Sequence, residues 1–128
     1  MLLTIDFSSE KPIYMQIRDG VVEGIASGTL HDGDSLPSIR SFAAEAGVNL
    51  HTVSKAYNLL KAEGFIDILR NKGAIIHAGN SVQETCGFLD RSRETLRGIV
   101  SEARTRGISR EIITDMIIEF YKELGGNN

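Results

Sequence analysis

Ile13, Ile17, Val21 and Ile25 recur at four-residue steps, a spacing that puts them on one face of a helix. The pattern predicts a helix from about Pro12 to Ser27, with proline in the first turn and Gly28 as its stop. Gly20 and Gly24 fall inside it, each costing about 1 kcal/mol against alanine, so packing has to hold this helix. The stretch GTLHDGDSLP reads as a loop from its Gly, Asp and Pro content. Ile39, Phe42, Ala43 and Ala46 then fall at i, i+3, i+4 and i+7, a short helix capped by Ser38 and ended by Gly47. Val53, Ala56, Tyr57 and Leu60 repeat that spacing in a third helix. Asn49 caps it through the amide of His51 or Thr52, and Gly64 stops it.

Periodicity then changes from helical to extended. FIDIL and AIIHA are short and rich in isoleucine, and RNKG between them predicts a β-hairpin. Asn71 and Gly73 tolerate the positive φ that a tight turn needs. Ser81 to Glu84 fits a capping box for a further helix, in which Leu89, Leu96 and Ala103 repeat at seven with Ile99 and Val100 beside them. Past Gly107, Ser109 caps a last helix with a wide apolar stripe: Ile112, Ile113, Met116, Ile117, Phe120, Tyr121 and Leu124. A turn of about two residues between the last two helices predicts an antiparallel hairpin. The expected fold is mainly α with a small β-hairpin. Residues 1–79 form a winged helix-turn-helix domain, and residues 80–128 a two-helix region.

The chemistry follows from what the pattern leaves outside. Ala43, Gly47 and Val53 supply a small residue for close helix crossing, a glycine for the turn and a β-branched side chain for the core between the helices, as a helix-turn-helix requires. With Val53 inward, His51, Lys55 and Asn58 point nearly opposite and Ser54 lies beside them. Lys can meet phosphate or guanine, and His, Asn and Ser can bond base edges in the major groove. Thr52, near the helix start, can bond a phosphate with help from free amides and the helix dipole. Taken alone, this stripe reads first as the solvated side of an exposed helix. Arg40 at the start of the second helix, and Arg70 with Lys72 at the hairpin tip, turn it toward a DNA footprint.

Charge sharpens this only locally. The net charge of the 128-residue chain is −3. It divides into −4 over residues 1–37, +2 over 38–79 and −1 over 80–128, so the helix-turn-helix block is the net-positive one. The 24% charged and 41% hydrophobic shares are those of an ordinary globular chain. Cys86 is alone, so no intrachain disulfide forms. No apolar run approaches the roughly 18 residues of a membrane span, and MLLTIDFSSE carries no signal pattern, so a cytoplasmic location is expected. His31, His51 and His77 have no carboxylate or cysteine in metal-ligand spacing, Cys86 has no activating pattern, and no phosphate-cradling glycine loop occurs. An enzyme is not expected, nor is a metal or cofactor.

Residues 11 to about 79 resemble the winged helix-turn-helix domain of GntR-family bacterial transcription regulators. The segments that carry the resemblance are PIYMQI, GTLHDGDSLPSIR and GVNLHTVSKAYNLLKAEG, in order and with the family's gaps. The short tail is similar to the YtrA-like subfamily, whose two C-terminal helices pair between protomers. The resemblance implies a homodimeric repressor on an inverted-repeat operator. It implies that Ser38 meets phosphate and Arg40 a base edge. Asn49, His51, Thr52, Ser54 and Lys55 would lie at the start of the recognition helix, and Arg70, Asn71, Lys72 and Gly73 in a wing entering the minor groove. It implies dimerisation through Leu89, Leu96, Ile99, Val100, Ile112, Ile113, Met116, Ile117, Phe120, Tyr121 and Leu124 of the two last helices. Many relatives carry arginine at the positions of Leu50 and Ser54, YtrA-like members more often read Asn-Pro-Asn-Thr for Asn49 to Thr52, and the wing's usual Gly-x-Gly is Asn71-Lys72-Gly73 here. These departures bear on the operator sequence. The family's setting beside ABC-transporter genes implies control of transport or antibiotic stress. A small-molecule effector could sit between the domains or at the dimer seam. The competing reading is a winged helix used for protein contact without DNA, for which basic residues at Arg40 and the wing tip would serve no purpose.

Overall fold

A computed structural model describes residues 3–70, 73–78 and 87–125. The chain runs α1 (Ile13–Ala26), β1 (Ser35–Leu36), α2 (Ile39–Ala46), α3 (Leu50–Ala62), β2 (Ile66–Leu69), β3 (Gly73–Ile76), α4 (Phe88–Thr105) and α5 (Arg110–Glu123). It divides into two compact units, Met1–Gln83 and Glu84–Asn128.

The helix ends in the first unit follow local chemistry. Ser38 Oγ accepts from the Ser41 amide at 3.1 Å and starts α2. Gly47, at φ 67°, ends it in the left-handed conformation that glycine adopts without a Cβ clash. Two residues later Asn49 Oδ1 accepts from the His51 amide at 2.7 Å and starts α3. One core gathers Ile17 and Val21 of α1, Phe42 and Ala43 of α2, Val53, Ala56, Tyr57 and Leu60 of α3, and Leu36, Ile66, Ala74 and Ile76 of the sheet. The two interior glycines of α1 have packing reasons. A Cβ on Gly20 would stand 2.1 Å from Leu3 Cδ1, and one on Gly24 would stand 2.9 Å from Leu30 Cδ1. Both leucines pack on the core, so the glycines give up helix propensity to let two flanking segments close over α1.

The expected two-stranded hairpin is the larger part of a three-stranded antiparallel sheet, in the order β1-β3-β2. Ser35 pairs with Ile75 and Leu36 with Ala74, inside the stretch read as a loop. The pairing continues outward, where the Gly33 amide donates to Ile76 O and the Ile76 amide to Asp34 O, each at 2.8 Å. A strand of two residues shows no alternation, and its partner lies about forty positions away, so sequence pattern does not reveal it.

A charged clasp ties α1 to the end of α3. Arg18 donates from Nε to Glu63 Oε1 at 2.8 Å and from Nη2 to Oε2 at 3.0 Å, and its guanidinium stands 5.6 Å from the centre of the Phe65 ring. Asp19 accepts from Arg18 and pairs with Lys11. Burial alone would raise the Asp19 carboxyl, but these two cations outweigh it and hold it below the ordinary carboxylate value.

In the second unit Ser109 Oγ accepts from the Ile112 amide at 3.4 Å and opens α5. The described part of α4 begins after Gly87 with no side-chain cap. The Ser81 to Glu84 box and Cys86 lie outside the described residues. Ala103 is the buried side chain of α4, and α5 has none. Leu89, Leu96, Ile99, Val100, Ile112, Met116, Ile117, Phe120 and Tyr121 are all exposed, while Ile113 and Leu124 are half-buried. The two helices leave a cleft of about 630 Å³ between them, walled by Leu96, Val100, Ile108, Ile113 and Ile117. Among the described residues, no helix is long and apolar enough to cross a membrane.

Candidate nucleic-acid interface

Burial along α3 alternates as a helix half-sunk in a core must. Val53, Ala56, Tyr57 and Leu60 are buried, His51, Lys55 and Asn58 are exposed, and Thr52 and Ser54 lie at the margins. The inward side is locked by Tyr57. Its ring meets Phe42 edge-on, centroids 6.2 Å apart, and its hydroxyl donates to Pro37 O at 2.6 Å. Burial pushes the phenol well above its ordinary value, so it stays a donor. That bond fixes the residue immediately before Ser38, and with it the start of α2.

The same region brings three of the expected site residues together. Ser38 and Arg40 from the start of α2 and Gly73 from the wing line one shallow depression of about 270 Å³, floored by Tyr57 and Ala74 and bordered by Ile68. Arg70 is exposed at the end of β2. Asn71 and Lys72, expected at the wing tip, lie outside the described residues. Among the described residues Arg40, Lys55 and Arg70 make no ion pair, whereas Arg18 and Lys11 on α1 and its approach are both matched by carboxylates. Cations left unmatched around α2, α3 and the wing are available to an external anion.

Asn49 caps α3 through the His51 amide, as its place in the sequence predicts, and the Thr52 amide bonds Asn49 O at 3.0 Å, so both of these first-turn amides are engaged within the chain. Lys55, though exposed, rests its Nζ 4.1 Å from the centre of the Tyr14 ring. Tyr14 was absent from the sequence-derived site. Its place next to Ile13 in the first turn of α1 gave no sign that it would reach α3. His77 has a carboxylate partner that spacing along the chain did not show, Asp67 Oδ2 at 2.7 Å from Nε2. Among the described residues no three His, Cys, Asp or Glu side chains gather as a metal site.

Two helices joined at a glycine turn, with a small sheet beside the second, define a winged helix-turn-helix protein. Residues 13–76 match the bacterial regulatory proteins of the gntR family, and the chain belongs to that family. It is similar to the HTH-type transcriptional repressor YtrA of Bacillus subtilis, 33% identical over 125 residues that cover 98% of this chain and 96% of that protein. Among solved structures it is similar to a transcriptional antiterminator from Listeria monocytogenes EGD-e, 30% identical, with a TM-score of 0.91 over all of this chain and 96% of that one. It is also similar to YtrA from Sulfolobus acidocaldarius, a GntR-family transcription factor, 40% identical, with a TM-score of 0.61 over 82% of this chain and 99% of that one. Within the family the chain sits with the short YtrA-like members.

Proposed function

We propose that the chain is a homodimeric repressor that docks α3 in the major groove of an inverted-repeat operator and acts by binding, not by catalysis. The observation that carries the reading is the gathering of Ser38, Arg40 and Gly73 at one depression beside α3, with Arg40, Lys55 and Arg70 unmatched by any carboxylate of the described residues. In this arrangement Ser38, Arg40, Thr52 and Lys55 bind phosphate or base edges, His51, Ser54 and Asn58 face the bases, and Arg70 to Gly73 lie along the minor groove. Asn49, its oxygen engaged in the cap, donates from its amide nitrogen.

The second copy is supported by the tail. A helix pair with its apolar side chains this exposed lacks the burial that holds a helix of ordinary length, since most helical stability in proteins comes from packing an apolar face. A partner's α4 and α5 would fill the cleft and cover both stripes. Two-fold symmetry would set two copies of α3 on half-sites one helical turn, or a multiple, apart. No described residue names an effector, and a cytoplasmic location follows from the DNA target.

Gel shift on the chain's own promoter tests the DNA contact. Arg40→Ala with Lys55→Ala is expected to weaken binding at least tenfold at about 150 mM salt and to flatten the salt dependence, because fewer counterions are released. Unchanged affinity would sink the assignment. Sedimentation tests the dimer: Ile113→Asp with Ile117→Asp should give monomers, and a wild-type monomer at micromolar concentration would remove the second copy.

A further inference from the structure

The first side chain of α3 is apolar and stands open to solvent. Leu50 is the first residue of α3, directly after the Asn49 cap, and is 38% exposed. It continues the inward stripe of Val53, Tyr57 and Leu60 one step past the core. Its near neighbours Ala46 and Val48 are partly buried against that core, whereas Leu50 is exposed. Around it the surface is polar: Asn49 and His51 are exposed, and Ser54 stands one turn further along the same row.

The first residues of a helix laid in the major groove are those that meet base edges. An apolar side chain there has one apolar complement on that edge, the C5 methyl of thymine. Guanine or unmethylated cytosine at the same place would lose water from a polar edge and gain no partner. We propose that Leu50 is a specificity-determining residue that reads a thymine methyl group, so that each half-site carries a required T·A pair opposite the start of α3. The inference rests on the DNA-binding reading above and adds the chemistry of one base to it.

The test removes only the methyl. An operator is selected from a random duplex pool with the full-length wild-type protein, and each thymine of a half-site is then replaced in turn by deoxyuridine. One replacement per half-site is expected to weaken wild-type binding about three- to fivefold, the effect of one buried methyl-sized group. Leu50→Ala should bind the thymine and uracil operators equally, and Leu50→Met, which keeps an apolar side chain, should restore part of the preference. Circular dichroism identifies any variant that fails to fold, in which case Leu50→Met carries the comparison. Wild-type binding that is indifferent to uracil at every thymine overturns the inference while leaving DNA binding intact. So does a uracil penalty that Leu50→Ala feels as strongly as wild type. If no sequence is selected at all, the DNA-binding reading fails and the inference falls with it.

Discussion

Replacing Tyr57 with phenylalanine takes away one oxygen and tests how firmly α3 is tied to the start of α2. The ring is 1% exposed and packs edge-on to Phe42, and Tyr57→Phe keeps that packing. What disappears is the 2.6 Å hydrogen bond to Pro37 O. A typical hydrogen bond contributes about 0.5–1.5 kcal/mol net, and an acceptor stranded away from water adds to the loss. Pro37 is half-buried, so water recovers part of it, and a cost of about 1–1.5 kcal/mol is expected. For a unit of this size each kcal/mol lowers Tm by about 4–8 °C. Urea unfolding followed by circular dichroism at two protein concentrations separates this effect from subunit dissociation. If Ser38 and Arg40 meet the operator as proposed, its affinity should fall as well, because they lose the anchor in front of them. An unchanged urea midpoint with an unchanged slope would refute the reasoning, since it would mean the bond contributes nothing beyond what water supplies.

Two further outcomes follow from the geometry. Gly47→Ala places a Cβ at φ 67° with no atom within 4 Å of it, so the cost is backbone strain alone, about 1 kcal/mol. Gly47→Asn should lose less, and equal stabilities for all three proteins in urea would contradict the account. Asp19, held below its ordinary value by Lys11 and Arg18 against the effect of burial, contributes stability that is present at neutral pH and lost as pH falls through its folded-state value. Asp19→Asn should therefore be less stable at pH 7 and show a shallower acid limb, and identical acid unfolding curves would count against the clasp.

The parts of the fold governed by neighbours in the chain were legible in the sequence. Ser38, Asn49 and Ser109 cap the helices they were expected to cap, because a capping bond spans only two or three residues. Gly47 ends α2 for an equally local reason. β1 was not legible, since Ser35 and Leu36 become a strand only by meeting β3. The same limit applied to the site. His51, Lys55 and Asn58 could be placed outside by counting turns, but no count along the chain joins Ser38 and Arg40 to Gly73, or Lys55 to Tyr14. Gly20 and Gly24 were seen as costs, and their benefit appeared only when Leu3 and Leu30 were found lying over them. In the tail, the stripe from Ile112 to Leu124 was visible as periodicity, while its exposure in a single chain is a fact of packing.

The division of labour along α3 has an evolutionary consequence. Val53, Ala56, Tyr57 and Leu60 hold the helix in place, while His51, Ser54, Lys55 and Asn58 face outward and none of these four is buried. Substitutions at exposed positions of this kind usually change stability by no more than about 0.5 kcal/mol. A duplicated copy of this gene could therefore vary its outward residues one at a time without unfolding. Regulators built this way can drift toward new control sites while their scaffold stays recognisable.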